Sequence, residues 1–408
     1  MREPLVTVVT PSYNQGRFIR ATIESVLSQA YQPIEYIIMD GGSTDETASV
    51  VKDYASRVTY ISEKDRGQSH AINKGFHMAR GSILSWLNSD DVYLPGAVRN
   101  AVTAWQANPA AGAVYGEGYL MDGAGQLTGR FPWSEPLNLW KLTYLSDYIL
   151  QQTVYFRKDV LDHVGYLDEN LHYVMDWDIL IRIGLQYPLH YIPEYLGCLR
   201  EYPEAKTSAG GGRRVREIQG MLWRHTGMKL SPGYIVYGLN TYQKMCCDRI
   251  ERACGPAKPV AHTLQKAVRL VAGTIIQRTI RKSQGLYADG WAGPDVCYML
   301  PAGCERFTVE GSLPDLPALG GQVLHVEANG QQLGGRAVTS GDFRLEFFVP
   351  FGLRNTPLRM KISASRSSTA GVAKPGDRRR VSYRLKNINV SSAQPEFEQI
   401  PKVARAGV

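Results

Sequence analysis

No window of this 408-residue chain reaches the roughly 18 uncharged apolar residues that a membrane-spanning helix needs. The N-terminus lacks an apolar run behind a basic start. Leu5 already begins a strand pattern, so the reading is a protein made and kept in the cytoplasm. Cysteine is scarce. Cys198, Cys246, Cys247, Cys254, Cys297 and Cys304 include no CxxC pair and no finger spacing with histidine, which points to buried free thiols rather than disulfides or a zinc module. Forty glycines and twenty-two prolines are too few for a fibrous or largely disordered chain. No repeat of solenoid period is present. No GxGxxG follows the first strand pattern, which argues against a dinucleotide oxidoreductase. His70 and His77 form neither a metal pair nor a triad with a local serine, so a zinc enzyme or serine hydrolase has no support.

What is present is a globular composition, 44% hydrophobic and 21% charged, with length for two or three domains of about 150 residues. The net charge of +8 is unevenly placed. Between Lys206 and Lys282 stand 15 Lys and Arg against 3 Asp and Glu, so the remainder is slightly acidic. One basic surface facing an anionic partner is the implication.

The first ninety residues alternate strand and helix patterns. Leu5–Thr10, Ile34–Met39, Val58–Ile61 and Ser82–Leu87 read as strands, Gly16–Gln29 and Gly67–Arg80 as helices. Ser43 and Glu46 fit a capping box opening another helix, to about Ser56. This α/β alternation calls for a mainly parallel sheet with helices on both faces, and ligands of such sheets bind beyond the carboxyl ends of the strands. Those ends carry Pro11-Ser12-Tyr13-Asn14, Asp40, Glu63/Asp65/Arg66 and Asp90-Asp91. If the four strands run the same way, all these groups meet on one edge.

Asp90-Asp91 follows the apolar run Ile83–Leu87. Adjacent carboxylates there repel each other and resist desolvation unless a cation is present, and a hard divalent ion held partly by substrate phosphates relieves both costs. The alternative is a turn and helix cap ahead of Val92–Pro95. Helical spacing also runs through Val174–Leu185. The Ala209–Gly212 linker leads to a basic helical stretch, and after Gly285 short alternating runs, Gln322–Ala328, Phe343–Val349 and Leu358–Ser363, read as an antiparallel sandwich.

LVTVVTPSYN (5–14), MDGGSTD (39–45), DRGQSHAINKG (65–75) and NSDDVY (88–93) resemble the successive motifs of family 2 glycosyltransferases with the GT-A fold. VGYLDE (164–169) and MDWDILIR (175–182) resemble that family's acceptor-side motifs, so the likeness covers about residues 4–200. It implies inverting transfer of a sugar from a nucleoside diphosphate to an acceptor hydroxyl. Asp91 would then ligate Mn2+ or Mg2+ bridging the diphosphate, and Asp90 would contact the ribose or share the metal. Asp176 is the expected base, against a helix-start carboxylate, while Asp178 and Arg182 at i,i+4 read as a structural ion pair. Pro11, Ser12, Tyr13 and Asp40 are placed at the nucleotide. Many relatives carry an Asp-Asp pair whose second member helps hold uracil. Gly41 stands in that place here, so Asp65 and Arg66 are candidates to substitute, with uridine the first choice. Trp133, Gln151 and Gln152 fall where relatives place acceptor-facing loops, and core packing explains Trp133 equally well.

In Lys266–Lys282 the residues Val268, Val271, Ile275 and Ile276 lie near one helical face among Arg269, Arg278, Arg281 and Lys282. Such a helix could lie on an anionic bilayer, peripheral to the inner face of the membrane, or pack between two domains. Nucleic acid is not expected, because interleaved aromatics and a recognised module are missing. The sandwich, whose YADGWA (287–292) and PGDRRRVSY (375–383) look like domains appended to bacterial glycosyltransferases, reads as a product-glycan binder or as a packing or homo-oligomer module. The expected organisation is therefore residues 1–208 as the GT-A domain, 209–284 as a basic helical connector, 285–395 as the β-sandwich and 396–408 as a flexible tail. The expected function is nucleotide-sugar transfer to a glycan or lipid-linked acceptor in bacterial surface polysaccharide synthesis. The rival is a non-catalytic glycan-binding or scaffold protein on the same fold.

Overall fold

A computed structural model describes residues 3–206, 210–254, 258–284, 291–369 and 380–392. Its first half runs β1 (Val6–Ser12), α1 (Gly16–Leu27), β2 (Ile34–Asp40), α2 (Thr47–Lys52), β3 (Thr59–Ser62), α3 (Gln68–Met78) and β4 (Ile83–Trp86). β1 pairs in parallel with β2 and β4, and β2 in parallel with β3, giving the order β3-β2-β1-β4. The four strand ends therefore do share one edge. Register sharpens this: Ser12 lies beside Asp40, and Asp40 beside Ser62.

The chain continues with β5 (Val92–Tyr93), α4 (Ala97–Ala107), β6 (Ala113–Met121), β7 (Leu127–Arg130), α5 (Leu139–Tyr144), β8 (Tyr155–Arg157), α6 (Lys158–Val164), α7 (Met175–Gly184) and β9 (Leu189–Arg200). These extend the sheet through β8, which is antiparallel to both β4 and β6. β9 runs parallel to β6, and β5 antiparallel to β9. The sheet is thus mixed, and parallel throughout only in its first four strands. Short connections, such as the turn into β7, permit antiparallel neighbours that the alternation of the first ninety residues does not announce.

Period-two alternation divides the core between the sheet's faces. Val6, Val8 and Ile38 bury against Ile19 and Ile23 of α1. Val9, Ile37, Met39 and Trp86 bury on the opposite side with Ile72 and Phe76 of α3. Gly75 lets α3 approach closely, because a Cβ there would stand 2.5 Å from Val9 Cγ1. The capping box does not form. Ser43 instead donates to the Asp40 carboxylate, and Asp45 caps both neighbouring helices, accepting from Gly16 N at 2.9 Å and Thr47 N at 3.0 Å. A side chain that can satisfy two helix starts displaces the local pattern, and α2 is correspondingly short.

Helices α8 (Gly211–Thr226), α9 (Pro232–Cys254) and α10 (Lys258–Gln284) follow. Ile218, Met221, Leu222, Val236 and Ile276 join the core on the α3 side of the sheet, so these helices are packed against the first body of the protein. On α10 the expected apolar face is split: Ile276 is buried, whereas Val271 is 61% exposed, beside exposed Leu264 and Leu270. The side chains of Arg278, Arg281 and Lys282, residues 287–290, 375–379 and the expected tail lie outside the described residues.

The C-terminal part contains two four-stranded antiparallel sheets, one including Cys304–Leu313 and Gly341–Phe348, the other Gln322–Ala328 and Leu358–Ala364. Phe307, Val309, Leu324, Phe347 and Ile362 fill the space between them. This β-sandwich touches the first body directly. Tyr298 Oη donates to Leu137 O at 3.2 Å, and Ala302 N to Leu185 O at 2.8 Å. Cys198, Cys247 and Cys304 are buried free thiols, but Cys246 is exposed.

Candidate active site

The edge formed by the carboxyl ends of β1 to β4 gathers the polar groups. Asp40, 2% exposed, accepts from Ser43 N at 3.0 Å, Ser43 Oγ, Tyr60 Oη at 3.2 Å and Ser62 Oγ. Its carboxylate is spent on fastening the loop after β2. Beside it, Gly41 leaves room for Asp65: a Cβ on Gly41 would lie 2.7 Å from Asp65 Oδ2 and 3.3 Å from the Tyr13 ring. The other Asp65 oxygen accepts from Gly67 N at 2.8 Å. The Tyr13 ring is 62% exposed, and the buried Ser12 hydroxyl has no partner. Pro11, next to last in β1, lies alongside Met39. Arg66 turns outward, where it pairs with Glu169, so it lies on the surface-loop side of the two readings.

Asp90 and Asp91 follow β4. Asp91 is 1% exposed, and three donors reach its carboxylate: Arg200 N at 2.8 Å, Asn88 Nδ2 at 3.0 Å and Gln152 Nε2 at 2.6 Å. Burial, with the neighbouring Asp90 charge, pushes its carboxyl up to about 7. Asp90 is half-buried; Tyr202 Oη donates to its Oδ2 at 2.7 Å, and the buried Arg200 guanidinium to its carbonyl at 2.7 Å. Among the described residues no group of three or more His, Cys, Asp and Glu could hold a metal ion. The two carboxylates suit a hard divalent cation all the same. They are adjacent, Asp91 is destabilised as an anion, Asp91 Oδ1 and Asp90 Oδ2 each accept one hydrogen bond and retain a lone pair, and phosphate oxygens with water complete such a site.

Gln151 and Gln152, expected on acceptor-facing loops, are buried, with their amides engaged around Asp91. Gln151 donates to Trp86 O at 2.8 Å and accepts from Asn88, and Gln152 braces Asp91. Pairing of β8 with β4 brings them there, an antiparallel contact invisible in the local pattern. Trp133 is 62% exposed and meets Phe131 edge-on, which removes the core reading. No contact joins it to the groups above.

Asp176 stands in the first turn of α7, half-buried, its Oδ1 accepting from Trp177 N at 2.9 Å. Burial raises its carboxyl. Asp178 turns away, as expected, and binds Arg182 at 2.8 Å and His225 at 2.8 Å. A polar chain spans the gap between Asp91 and Asp176. Asn88 donates to Asp91; Gln68 Nε2 donates to Asn88 Oδ1 at 2.7 Å; Lys206 Nζ donates to Gln68 Oε1 at 2.6 Å. Lys206 also lies 3.8 Å from Met175 Sδ, and its ammonium, lowered to about 8 by burial, feels the Asp176 charge. Gln68 opens α3 behind Gly67, whose φ of 127° suits glycine alone. Sequence reasoning missed Gln68, Arg200, Tyr202 and Lys206. Gln68 sits inside a recognised motif, but the other three carry no local signal.

A cavity of about 230 Å3 lined by Val26, Ile34, Tyr36 and Arg57 lies by the start of β2, at the opposite edge of the sheet.

Residues 7–162 match the family described as Glycosyl transferase family 2. The chain carries a family 2 glycosyltransferase domain. Over 186 residues it is 28% identical to an uncharacterised glycosyltransferase of Rickettsia prowazekii, covering 44% of this chain and 58% of that one. It is 34% identical over 129 residues to the chondroitin synthase of Escherichia coli, covering 31% and 19%. The chain therefore spans between about a fifth and somewhat over half of the curated relatives it matches. A crystal structure of S. aureus TarS 1-349 in complex with UDP-GlcNAc aligns with a TM-score of 0.43 at 15% identity, over 69% of this chain and 93% of that one. The family 2 match ends before α7, so Asp176, Arg200, Tyr202 and Lys206 are connected to it by the geometry above rather than by the matched segment.

Proposed function

We propose that this family 2 protein transfers a sugar, with inversion, from a nucleoside diphosphate sugar to a hydroxyl of a glycan or lipid-linked acceptor during surface polysaccharide synthesis. The observation that carries the reading is the polar chain Asp91–Asn88–Gln68–Lys206, which joins the donor-side carboxylates to the neighbourhood of Asp176. The likeness to chondroitin synthase supports a polysaccharide product.

Asp176 takes the acceptor proton. The acceptor oxygen then forms its bond to the anomeric carbon while the bond from that carbon to the phosphate oxygen breaks, and the diphosphate leaves with the electron pair. Asp90 and Asp91 would hold Mn2+ or Mg2+, which supplies positive charge for the leaving diphosphate. Lys206 adds charge on the same side. The amides opening α3 face the donor edge and favour an anion there.

Uridine is the favoured base. Asp65 fills the place that Gly41 leaves, beside an exposed Tyr13 ring suited to stacking, and its carboxylate accepts from a ring N–H such as that of uracil.

A thermal-shift panel of UDP, GDP, CDP and dTDP with manganese, followed by transfer assays with the stabilising nucleotide's sugars, tests the reading. The expected result is stabilisation by UDP with Mn2+, turnover by the native protein, and an Asp176→Asn variant that keeps donor binding while transfer falls about 10²–10⁴-fold. Absence of turnover with every donor favours the scaffold reading instead.

Exposed Leu264, Leu270 and Val271 beside exposed Lys266 and Arg269 on α10 support attachment to an anionic bilayer. Cosedimentation with anionic vesicles at low salt checks this, and absence of binding removes it. No helix among the described residues is long and apolar enough to cross a membrane.

A further inference from the structure

The outer side of α8 takes no part in the site above, and its charge is one-sided. Between Gly211 and Leu230 stand five Arg and Lys against one acid, Glu217. That acid is turned inward: its Oε1 accepts from the backbone N–H groups of His172, Tyr173 and Val174, which lead into α7. Val215, Ile218, Met221 and Leu222 of the same helix are buried. The opposite stripe, Gly212, Arg216, Gly220 and Trp223, follows helical spacing, and a Cβ on Gly220 would meet nothing within 4 Å. Arg213 and Arg216 are exposed and pair with no carboxylate among the described residues, whereas Arg224 is tied to Asp168. An aromatic ring stands at each end of the stripe. Exposed Tyr242 of α9 lies by Gly212, whose Cβ would come 3.7 Å from Tyr242 Oη. Exposed Trp223 stands about 16 Å further along the axis. The chain then reverses at Gly227, with φ 70°, into Met228, Lys229 and Leu230. All three are exposed, Leu230 by 65%, and Lys229 Nζ lies 5.2 Å over the Trp223 ring. The backbone of this turn is fastened: Met228 N donates to Thr226 Oγ1 at 3.0 Å, and Gln219 Nε2 to Lys229 O at 3.2 Å. The turn is thus a held projection with an apolar tip.

We propose that this strip seats the protein on an anionic bilayer, with Trp223, Met228 and Leu230 entering the headgroup layer and Arg213 and Arg216 against lipid phosphates. This rests on the bilayer reading given for α10 and adds a second, separate contact to it. An apolar tip costs least where hydrocarbon lies within reach, and unpaired guanidinium groups where anionic charge is spread over a plane. A bilayer surface offers both side by side, and aromatic rings with a polar edge settle at its headgroup level. The inner side of the same helix walls the transfer centre. Glu217 holds the approach to α7, and the Arg214 guanidinium lies 5.6 Å over the Tyr237 ring, which packs 5.4 Å from Trp177, next to Asp176. One helix, about 10–12 Å across, thus stands between Asp176 and the bilayer side. An acceptor anchored in that bilayer has a short path to the base, whereas a soluble glycan gains nothing from the arrangement. The surface therefore favours the lipid-linked class of acceptor.

The test is cosedimentation of the full chain at low salt with vesicles of phosphatidylcholine mixed with phosphatidylglycerol, and with phosphatidylcholine alone. Arg213→Gln with Arg216→Gln is expected to weaken binding to the anionic vesicles about thirtyfold, two surface charges at about fivefold each. Met228→Ser with Leu230→Ser is expected to weaken it by about tenfold or more. All four side chains are exposed, so Tm should stay at the native value. Brominated lipid should quench tryptophan fluorescence of the native chain, and Trp223→Phe should remove that quenching. If the α8 and turn variants bind as the native chain does while Leu270→Ser with Val271→Ser abolishes binding, the α8 surface is overturned and the bilayer reading stands. A native chain that binds no vesicle overturns both. Equal binding to phosphatidylcholine alone overturns the part given to Arg213 and Arg216. A dimer, seen by light scattering, that Leu230→Ser dissolves without changing vesicle binding gives the strip to a second copy of this chain and overturns the proposal.

Discussion

Gln152 reaches the Asp91 carboxylate from the turn ahead of β8, its Nε2 2.6 Å from Oδ2, although 61 residues separate the two along the chain. The β4–β8 pairing makes this possible: an antiparallel strand delivers its preceding turn to the carboxyl end of its neighbour. A buried anion is thereby kept in one orientation before any ligand arrives. Gln152→Ala removes a hydrogen bond to a charged group, about 1.5–3 kcal/mol, or roughly ten- to a hundredfold in affinity. The expected outcome is manganese-dependent nucleotide binding weakened by that factor, read by calorimetry. Unchanged affinity would show that Asp91 needs no such brace.

Asp65 occupies the space beside Gly41, where a side chain would also stand against the Tyr13 ring, and under the proposed function its oxygen meets the base. An amide in its place presents a donor as well as an acceptor. Asp65→Asn should therefore weaken UDP relative to CDP, whose ring nitrogen accepts. Competition binding with the two nucleotides measures the ratio, and an unaltered ratio rejects the assignment.

Asp178 is tied to Arg182 and His225 below α7. Burial alone would raise its carboxyl, but the His225 and Arg182 interactions outweigh burial and hold it below its ordinary value. A lowered folded-state value means the stabilisation is present above the unfolded value of about 3.9 and disappears as pH falls through the folded one. The difference in Tm between the native protein and Asp178→Asn should stay level from neutral pH to about 5 and shrink below about 4. A difference that grows on acidification would contradict the sign.

Gly75 brings α3 onto β1. In Gly75→Ala the new methyl meets Val9 Cγ1 at 2.5 Å and Cγ2 at 2.9 Å. Overpacking of this kind costs about 1–3 kcal/mol, partly offset by the better helix propensity of alanine, up to about 1 kcal/mol. Denaturant unfolding should show a net loss, and the loss should shrink in a Val9→Ala background, where the clashing methyls are gone. Equal losses in both backgrounds would place the strain elsewhere.

Periodicity and turn chemistry, which act over a few residues, decided much of this protein without any tertiary information. Val6–Ser12 alternates between the two faces of a sheet, the helix after Gly67 stops near its expected end, and Asp178 pairs with Arg182 one turn on. The convergence of Pro11 to Tyr13, Asp40, Asp65 and Asp90-Asp91 followed from parallel topology alone. Only the folded chain assigned the tasks of those residues. It spent Asp40 on Ser43 and Ser62, turned Gln151 to Trp86 and Gln152 to Asp91, brought Asp65 into the space left by Gly41, and joined Lys206 to Gln68. Apart from Ser43, three residues from Asp40, those partners stand between about twenty and well over a hundred residues from the groups they meet. Hydrogen bonding and charge act through space, and a linear pattern records only neighbours along the backbone.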